Sequence, residues 1–458
     1  MTNGGFTGIR GTLDRTFTLG ESLAWLGVLL ALLVLGAHFF RAGETVMVLG
    51  VAGMVTFHCA ASAWKTCAVG LFLVWGVLEW GAGVHSLIAL RMHFGAPWLR
   101  GALILAAVAA LTALAAAHVL AKARKKRLEI PDEPAFSQAA AFILAFLALY
   151  ALRQYGRADL FLLEALFPAW GGIQLFLLAW YAGFVTGKLL TPRTSRKTRK
   201  TVWIVFSCFF FGQLALGLAG VPGFTGFGKP HIPVPGMILF APLYRGSLSM
   251  MLFLVLAACL LAGSAWCSML CYFGSIEAAT SGKAVRQTPP LLAAALRHGR
   301  AGVLAIGAAT ALGLRFAGVG TDIAIGLGLA FAVASLAAAL FLSRRYTGMA
   351  HCAAVCPMGL AVNLLGRLSP WRLGIDRERC DGCGACEKVC GYRAIDAGRR
   401  LAGTASFRCS LCRDCIAVCS RKAIRIKSPL LPASVSGHVF VVVTVTLHVL
   451  FLAAARPM

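Results

Sequence analysis

Apolar stretches of about 20 residues, bounded by charged or turn residues, recur along most of this chain, and that length carries an α-helix across a bilayer. Of the 458 residues, 59% are hydrophobic and 13% are charged, which excludes an ordinary soluble domain. The sequence predicts an all-α polytopic membrane protein of about eleven transmembrane helices, with a small α+β module inserted near its C-terminal end. The predicted spans are residues 20–40, 46–63, 67–90, 101–121, 135–153, 160–187 (tilted or broken near Pro168), 202–221, 246–267, 301–318, 322–342 and 436–455.

The distribution of basic residues predicts how the helices are oriented. The chain has 43 Lys and Arg against 17 Asp and Glu, a net charge of +26. If the N-terminus is cytoplasmic and every span crosses, 34 of the 43 cations lie in cytoplasmic segments, as the positive-inside rule requires. We therefore expect a bacterial cytoplasmic (inner) membrane protein with its N-terminus and inserted module inside and its C-terminus outside. The basic excess is then an orientation signal, and we expect no nucleic-acid partner.

The N-terminal segment has no short apolar region followed by a cleavage site, so we expect the first helix to be retained.

Cysteine spacing within residues 376–427 indicates a metal centre. Cys380, Cys383, Cys386 and Cys390 read C-x2-C-x2-C-x3-C, and the same spacing recurs 29 residues later. Three such thiolates wrap one [4Fe-4S] cube, and the fourth cysteine of each run ligates the other cube. Two zinc sites are the alternative, but the third and fourth cysteines fit cubane ligation better. The predicted ligands are Cys380, Cys383, Cys386 and Cys419 for cluster 1, and Cys409, Cys412, Cys415 and Cys390 for cluster 2.

The segment around these cysteines is basic. Residues 376–427 carry 12 Lys and Arg against 6 Asp and Glu, and several of the cations neighbour predicted ligands. We expect an acidic redox partner protein or anionic lipid to meet this face. The neighbouring cations are Arg379, Lys388, Arg408, Arg413 and Arg421.

Two further cysteine pairs lie at the cytoplasmic ends of predicted helices. Cys267 and Cys271 form one C-x3-C pair, and Cys352 and Cys356 form another, which Pro357 follows. At i and i+4 the two thiols of a pair share one helical face, and both pairs lie at the same membrane depth. The sequence predicts that the four thiols meet as a third redox centre or metal site. A redox-active dithiol and buried structural thiols remain alternatives.

The order of these motifs resembles the NapH/NosR-like membrane polyferredoxin family over residues 200–427, and residues 375–427 resemble the bacterial two-cluster ferredoxin domain. Gly391 and Ser420 stand where a proline usually follows the fourth cysteine, and Tyr272 where one usually follows the first pair. The resemblance implies membrane electron transfer of the quinol-oxidising type, as a redox subunit of a larger oxidoreductase system. It is closer to the NapH type, because the periplasmic flavin domain of the NosR type is absent from the sequence.

The N-terminal helices lie outside the resemblance and carry four histidines. His38 and His85 are predicted near the outer ends of their helices, and His58 and His118 near the inner ends. Two such layers would suit bis-imidazole haem b, whereas histidines that satisfy carbonyls are the alternative. Glu79 is predicted in the middle of the membrane, as a proton acceptor at a quinol pocket or as a protonated hydrogen-bonded side chain.

Several other polar side chains lie in the predicted membrane helices. Glu164 carries the same two alternatives as Glu79. His438 and His448 are predicted to be packing or pore residues. The remaining cysteines are predicted to be small apolar packing residues; they are Cys59, Cys67, Cys208 and Cys259.

The leading functional hypothesis is a membrane iron–sulfur protein that relays electrons between the quinone pool, or a cytoplasmic donor, and a redox partner. No P-loop and no G-x-G-x-x-G after a strand accompany the cysteines, so nicotinamide oxidation would need a partner. An assembly factor that reduces a metal or disulfide, and a redox sensor, are alternatives. The predicted domains are residues 1–125, 126–200, 201–350, 351–430 and 431–458.

Overall fold

A computed structural model describes residues 19–59, 62–129, 134–156, 161–167, 170–221, 224, 232–281, 289–346 and 348–454. The longer α-helices are Leu19–Arg41, Thr45–Cys59, Ala63–His93, Leu99–Glu129, Ala135–Tyr155, Gly171–Leu190, Pro192–Leu218, Met250–Ala262, Arg300–Phe316, Thr321–Tyr346 and Ala433–Ala454. Shorter α-helices are Leu162–Leu166, Met237–Arg245, Tyr272–Thr280, Pro290–Ala294, Ala350–Ala354, Pro357–Leu365, Ala385–Val389, Ala397–Leu401 and Asp414–Val418. Single 3-10 or π turns are Gly263–Ala265, Trp266–Leu270 and Ala295–Gly299.

Nine helices in the described part of the chain are long and apolar enough to cross a membrane. Two of the eleven predicted stretches are not among them. Thr45–Cys59 has 15 residues, which rise only about 22 Å. Arg300–Phe316 has 17 residues, although residues 290–299 extend it without a break. The stretch 160–187 contains two helices, Leu162–Leu166 and Gly171–Leu190, whereas Pro168 lies outside the described residues.

The chain separates into two compact units, residues 1–143 and 144–458. In the first unit, glycines allow helices to approach closely. A Cβ built on Gly70 would lie 2.6 Å from Leu120, and one on Gly76 would lie 2.8 Å from Leu35. Small residues at helix contacts are typical of membrane bundles, because dispersion contacts supply much of the attraction between helices there.

In the second unit, both C-x3-C pairs lie where helices are interrupted. Cys267 lies in the π turn Trp266–Leu270, and Cys271 follows that turn in an extended conformation. Cys352 lies in Ala350–Ala354, and Cys356 is extended before Pro357. The prediction that each pair shares one helical face is therefore wrong. A residue before proline avoids the α conformation, which explains the break at Cys356.

The inserted module is built on one antiparallel strand pair. Arg372–Ile375 pairs with Ile424–Lys427, and Ile375 lies opposite Ile424. Leu373, Ile375, Ile424 and Ile426 are buried. The two strands therefore bring the start and the end of the cysteine-rich segment together.

Candidate functional site

The first cysteine quartet surrounds one small cavity. It is lined by Cys380, Cys383, Cys386 and Cys419. Cys386 is buried and Cys383 is exposed, so one side of this quartet faces the surroundings. The structure thus places the fourth cysteine of the second run beside three cysteines of the first.

The second quartet is more buried than the first, because Cys390 and Cys415 are buried and Cys409 and Cys412 are partly buried. Its four thiols, those of Cys390, Cys409, Cys412 and Cys415, lie close enough for their charges to interact. Burial raises the pKa of Cys409 and of Cys412 to about 12. A metal that binds these thiols must therefore displace their protons, which is the usual coupling of metal binding to deprotonation.

The backbone around the two quartets repeats with the period of the cysteine runs. Positive φ angles occur in three pairs of residues separated by 29 positions: Gly382 and Leu411, Gly384 and Arg413, and Arg393 and Lys422. A left-handed conformation costs a non-glycine residue about 1–2 kcal/mol. Leu411 and Arg413 adopt it nonetheless, at φ 52° and 67°. The second run therefore keeps the loop geometry of the first without the first run's glycines.

Main-chain N–H groups donate hydrogen bonds to the sulfur atom of the fourth cysteine in each run. The N–H of Ala394 donates to Sγ of Cys390 at 3.2 Å, and the N–H of Ala423 donates to Sγ of Cys419 at 3.4 Å. Such donors stabilise a negatively charged thiolate. Two sets of four converging thiols with N–H donors fit [4Fe-4S] ligation, and a cluster bound there would supply one-electron redox chemistry.

The second quartet is docked on the interrupted helix that carries Cys267. The hydroxyl of Ser264 donates to the carbonyl of Cys409 at 2.6 Å, and that of Ser268 donates to the carbonyl of Ser410 at 2.9 Å. Arg199 forms a two-point ion pair with Asp414, at 2.9 and 2.6 Å, and both side chains are only 12% exposed. These contacts fix the module against the membrane helices.

The four cysteines of the two C-x3-C pairs lie together. Cys267 and Cys271 are each close enough to Cys356 for their charges to interact, and Cys352 is likewise close to Cys271 and Cys356. Cys271, Cys352 and Cys356 are buried. We call this group the four-cysteine centre. The sequence predicted that these four thiols would meet.

Two aromatic side chains hold the four-cysteine centre in place. The indole N–H of Trp203 donates to the carbonyl of Cys271 at 2.7 Å, and the hydroxyl of Tyr392 donates to the carbonyl of Cys267 at 2.7 Å. Trp203, Tyr392, Met349 and Cys352 form one buried cluster. Tyr392 follows Cys390 by two residues, so it connects the second quartet to the four-cysteine centre.

Sequence reasoning missed two groups here. Glu277 is 0% exposed and accepts hydrogen bonds from the N–H groups of His351 (2.7 Å) and Cys352 (3.0 Å) and from the hydroxyl of Ser343. Ligand atoms of Glu277, His351 and Cys352 lie within 4.8 Å of one another. Burial raises the pKa of Glu277, although the donors oppose this shift. The sequence signal that could have identified Glu277 is its position as a lone acidic residue soon after the pair Cys267 and Cys271.

The second missed group is Arg300, which is 7% exposed. Its Nε donates to the carbonyl of Cys352 at 2.9 Å. Because its charge lies near Cys267 and Cys356, Arg300 offsets part of the negative charge that thiolates would place here.

The cations beside the cysteine runs divide into two groups. Arg408 and Arg413 donate to the carbonyls of Leu296 and Leu189, at 3.2 and 3.1 Å, and so take part in docking. By contrast, Arg379 and Arg421 have side chains 61% and 65% exposed, and Lys388 is also exposed. Arg379 and Arg421 nonetheless pair with Asp376 at 3.5 Å and Asp381 at 3.3 Å, so the exposed basic side chains beside the first quartet are partly neutralised.

Of the four predicted haem histidines, His58 and His118 lie close enough for their charges to interact. His38 lies 3.8 Å from Glu79 and packs against Trp80. His58 contacts the carbonyl of Trp25 at 3.2 Å and stacks on its ring. The side chains of His85 and His118 are exposed. The haem b hypothesis and the proton or quinol role of Glu79 stay predictions.

Two other ionisable side chains make structural contacts. Glu164 pairs with Arg153 at 3.1 Å and accepts the N–H of Gly171 at 2.8 Å. His448 is buried and contacts the carbonyl of Met269 at 3.2 Å, which agrees with a packing role. Of the cysteines predicted to pack, Cys67 and Cys259 are buried, whereas Cys59 and Cys208 are exposed.

Comparison with known protein families supports the iron–sulfur assignment. A family model described as a 4Fe-4S binding domain matches residues 373–396, which include the first cysteine run. A second model with the same description matches residues 245–286 and 325–376. The second match includes both C-x3-C pairs.

One curated relative is an uncharacterized protein of Methanocaldococcus jannaschii, 30% identical over 95 residues. The match covers 20% of this chain and 37% of the relative, so the chain spans little more than a third of that protein's length. No solved structure matches the chain.

Domains of the 4Fe-4S ferredoxin type, attached to a helical body of the membrane-spanning kind, define the class of this protein. It is a multi-pass membrane iron–sulfur protein of the electron-transfer type.

Proposed function

We propose that this protein relays electrons between the quinone pool and a redox partner at its cytoplasmic face, through two [4Fe-4S] clusters held by the crossed quartets. The observation that carries the proposal is the contact of Tyr392 with Cys267, which places the second quartet directly beside the four-cysteine centre. The first quartet lies on the exposed side of the module. The three thiol groups thus lead from the membrane helices to a surface that a partner can reach.

The docking contacts support a single cytoplasmic face. The module binds Leu189, Arg199 and Leu296, which belong to basic segments that charge counting assigns to the cytoplasm. Contacts between the module and these segments require them to lie on one side of the membrane. The proposed location is the bacterial inner membrane, where the positive-inside rule gives the module its cytoplasmic orientation.

Partner recognition is proposed to be electrostatic. The exposed cations Arg379, Lys388 and Arg421 lie beside the first quartet, and Arg379 and Arg421 pair with surface aspartates. The module still carries 12 basic against 6 acidic residues, and this excess would attract an acidic redox protein. Reduction of such a partner should slow as salt is raised from 50 to 500 mM, because exposed charges are screened. A rate that does not depend on salt would contradict this recognition mode.

The four-cysteine centre is proposed to hold a third redox or metal centre. The four thiols and the neighbouring side chains of Glu277 and His351 offer more potential metal-ligand atoms than a purely structural group of thiols needs. The test is the iron and sulfide content per chain, with alkylation of the native protein. Content above that of two cubanes supports a third centre, and ready alkylation of all four thiols contradicts it.

The relay itself is tested with anaerobic, purified full-length protein and a decyl-substituted benzoquinol. One quinol yields two electrons and two protons, so EPR signals of reduced clusters should appear as quinol is consumed. Absence of reduction by any quinol would overturn the quinone step. It would favour the assembly-factor or sensor alternatives.

A further inference from the structure

A large apolar cavity opens among the membrane helices beside the four-cysteine centre. Its volume is about 1190 Å³, and apolar side chains form most of its wall. One end is formed by Tyr272 and Val355. Tyr272 directly follows Cys271, and Val355 directly precedes Cys356, so this end of the cavity adjoins both C-x3-C pairs.

The cavity is long in the direction of the helices. Residues of Thr321–Tyr346 line it from Thr321 to Ala338. Those 17 steps correspond to about 25 Å at the rise of an α-helix, close to the hydrocarbon thickness of a bilayer. Leu314 and Tyr244 line the end near Thr321, where the hydroxyl of Tyr244 donates to the carbonyl of Val319. The cavity suits an extended apolar molecule with its reactive part at Tyr272.

Tyr272 is held firmly at that end. Its ring stacks on Phe210 with centroids 4.1 Å apart and planes at 9°. Its carbonyl accepts a hydrogen bond from the hydroxyl of Ser207 at 2.6 Å. The side chain therefore presents a fixed aromatic face and a phenol group, which can donate to or accept from a carbonyl or hydroxyl of a ligand.

We infer that this cavity is the binding site of an isoprenoid quinone, with the ring against Tyr272 and the tail along Thr321–Tyr346. The inference rests on the proposed relay, because proximity to the four-cysteine centre matters only for a ligand that exchanges electrons with it. A phospholipid acyl chain also fits an apolar cavity, but it would not require a fixed phenol at the end next to the cysteines. Tyr272, which stands where related motifs usually have proline, thereby receives a role as a ligand contact.

The test measures binding separately from electron transfer. Full-length protein in nanodiscs is titrated with decyl-substituted benzoquinone, and the dissociation constant is obtained from quenching of intrinsic fluorescence. Ala338→Phe fills the cavity near Tyr272, and Ala337→Phe adds the same bulk at an exposed position of the same helix. Tyr272→Phe removes only the hydroxyl. We expect at least tenfold weaker binding for Ala338→Phe, three- to tenfold weaker binding for Tyr272→Phe, and wild-type binding for Ala337→Phe.

The outcomes separate this inference from the proposed function. Wild-type quinone affinity in Ala338→Phe, with cluster reduction by quinol intact, would overturn the cavity assignment and leave the relay in place. A second outcome is that quinone binds the wild-type protein and not Ala338→Phe, while quinol fails to reduce the clusters of the wild-type protein. This outcome would support the cavity assignment and contradict the relay. A phospholipid that stays bound in native mass spectrometry and is not displaced by quinone would also overturn the assignment.

Discussion

The hydroxyl of Tyr392 donates a hydrogen bond to the main-chain carbonyl of Cys267, 2.7 Å away. This bond joins a residue beside the second quartet to the turn that carries the first C-x3-C pair. Tyr392 is 4% exposed, so water does not replace it easily as a donor.

Tyr392→Phe should leave the carbonyl of Cys267 without a donor, at a cost of about 1–3 kcal/mol. We expect a lower thermal midpoint and a changed EPR signal of the second cluster, with unchanged iron content. The control is Tyr244→Phe, which removes a tyrosine–carbonyl bond of 2.8 Å far from the quartets. The same EPR change in both variants would contradict the assigned role.

Asp414→Asn should detach the module from the membrane helices. The variant leaves Arg199 largely buried without its charged partner, and breaking such a pair costs about 3–5 kcal/mol. Limited proteolysis should then cut the module faster. Arg379→Gln breaks an exposed ion pair with Asp376 and is the control; such a pair contributes about 1 kcal/mol or less. Equal protease sensitivity of the two variants would refute the docking interpretation.

Cysteine substitutions should reveal the crossed ligation. Cys419→Ser and Cys383→Ser should perturb the same cluster, and Cys390→Ser and Cys412→Ser the other, because each pair belongs to one quartet. EPR of the reduced proteins and iron content distinguish the two classes. Cys208→Ser, at an exposed position of Pro192–Leu218, should keep the full content. The assignment fails if Cys419→Ser and Cys412→Ser share one phenotype.

The two proposed clusters should differ in resistance to metal removal. Cys383 is exposed, whereas Cys409 and Cys412 are partly buried beside the contacts of Ser264 with the carbonyl of Cys409 and of Arg199 with Asp414. Ferricyanide with EDTA should therefore remove the first cluster several-fold faster, as followed by EPR over time. Simultaneous loss would show that the docked surface does not protect the second quartet.

Glu277→Gln should loosen the four-cysteine centre. The amide replaces one acceptor oxygen with a donor that faces the N–H groups of His351 and Cys352, so at least one of these loses its partner. We expect Cys352, 8% exposed in the native protein, to be alkylated several-fold faster. Glu378→Gln changes an exposed carboxylate and is the control. Unchanged alkylation of Cys352 in Glu277→Gln would show that Glu277 does not hold this segment.

Sequence by itself determined the membrane class and the inserted module, and it predicted the grouping of the module's cysteines. Span length and cysteine spacing are local properties with few structural solutions, so Cys380 through Cys419 could be assigned to quartets before any fold was known. Tertiary structure decided the rest. The burial of Glu277 and Arg300, the docking through Asp414 and the cavity at Tyr272 all depend on segments far apart in the chain. Spacing also gave a wrong local geometry for both C-x3-C pairs, because Pro357 and the turn after Gly263 interrupt their helices. The sequence predicted that the four thiols meet, but the interrupted backbone that carries them and the packing that brings the two pairs together depend on the tertiary structure.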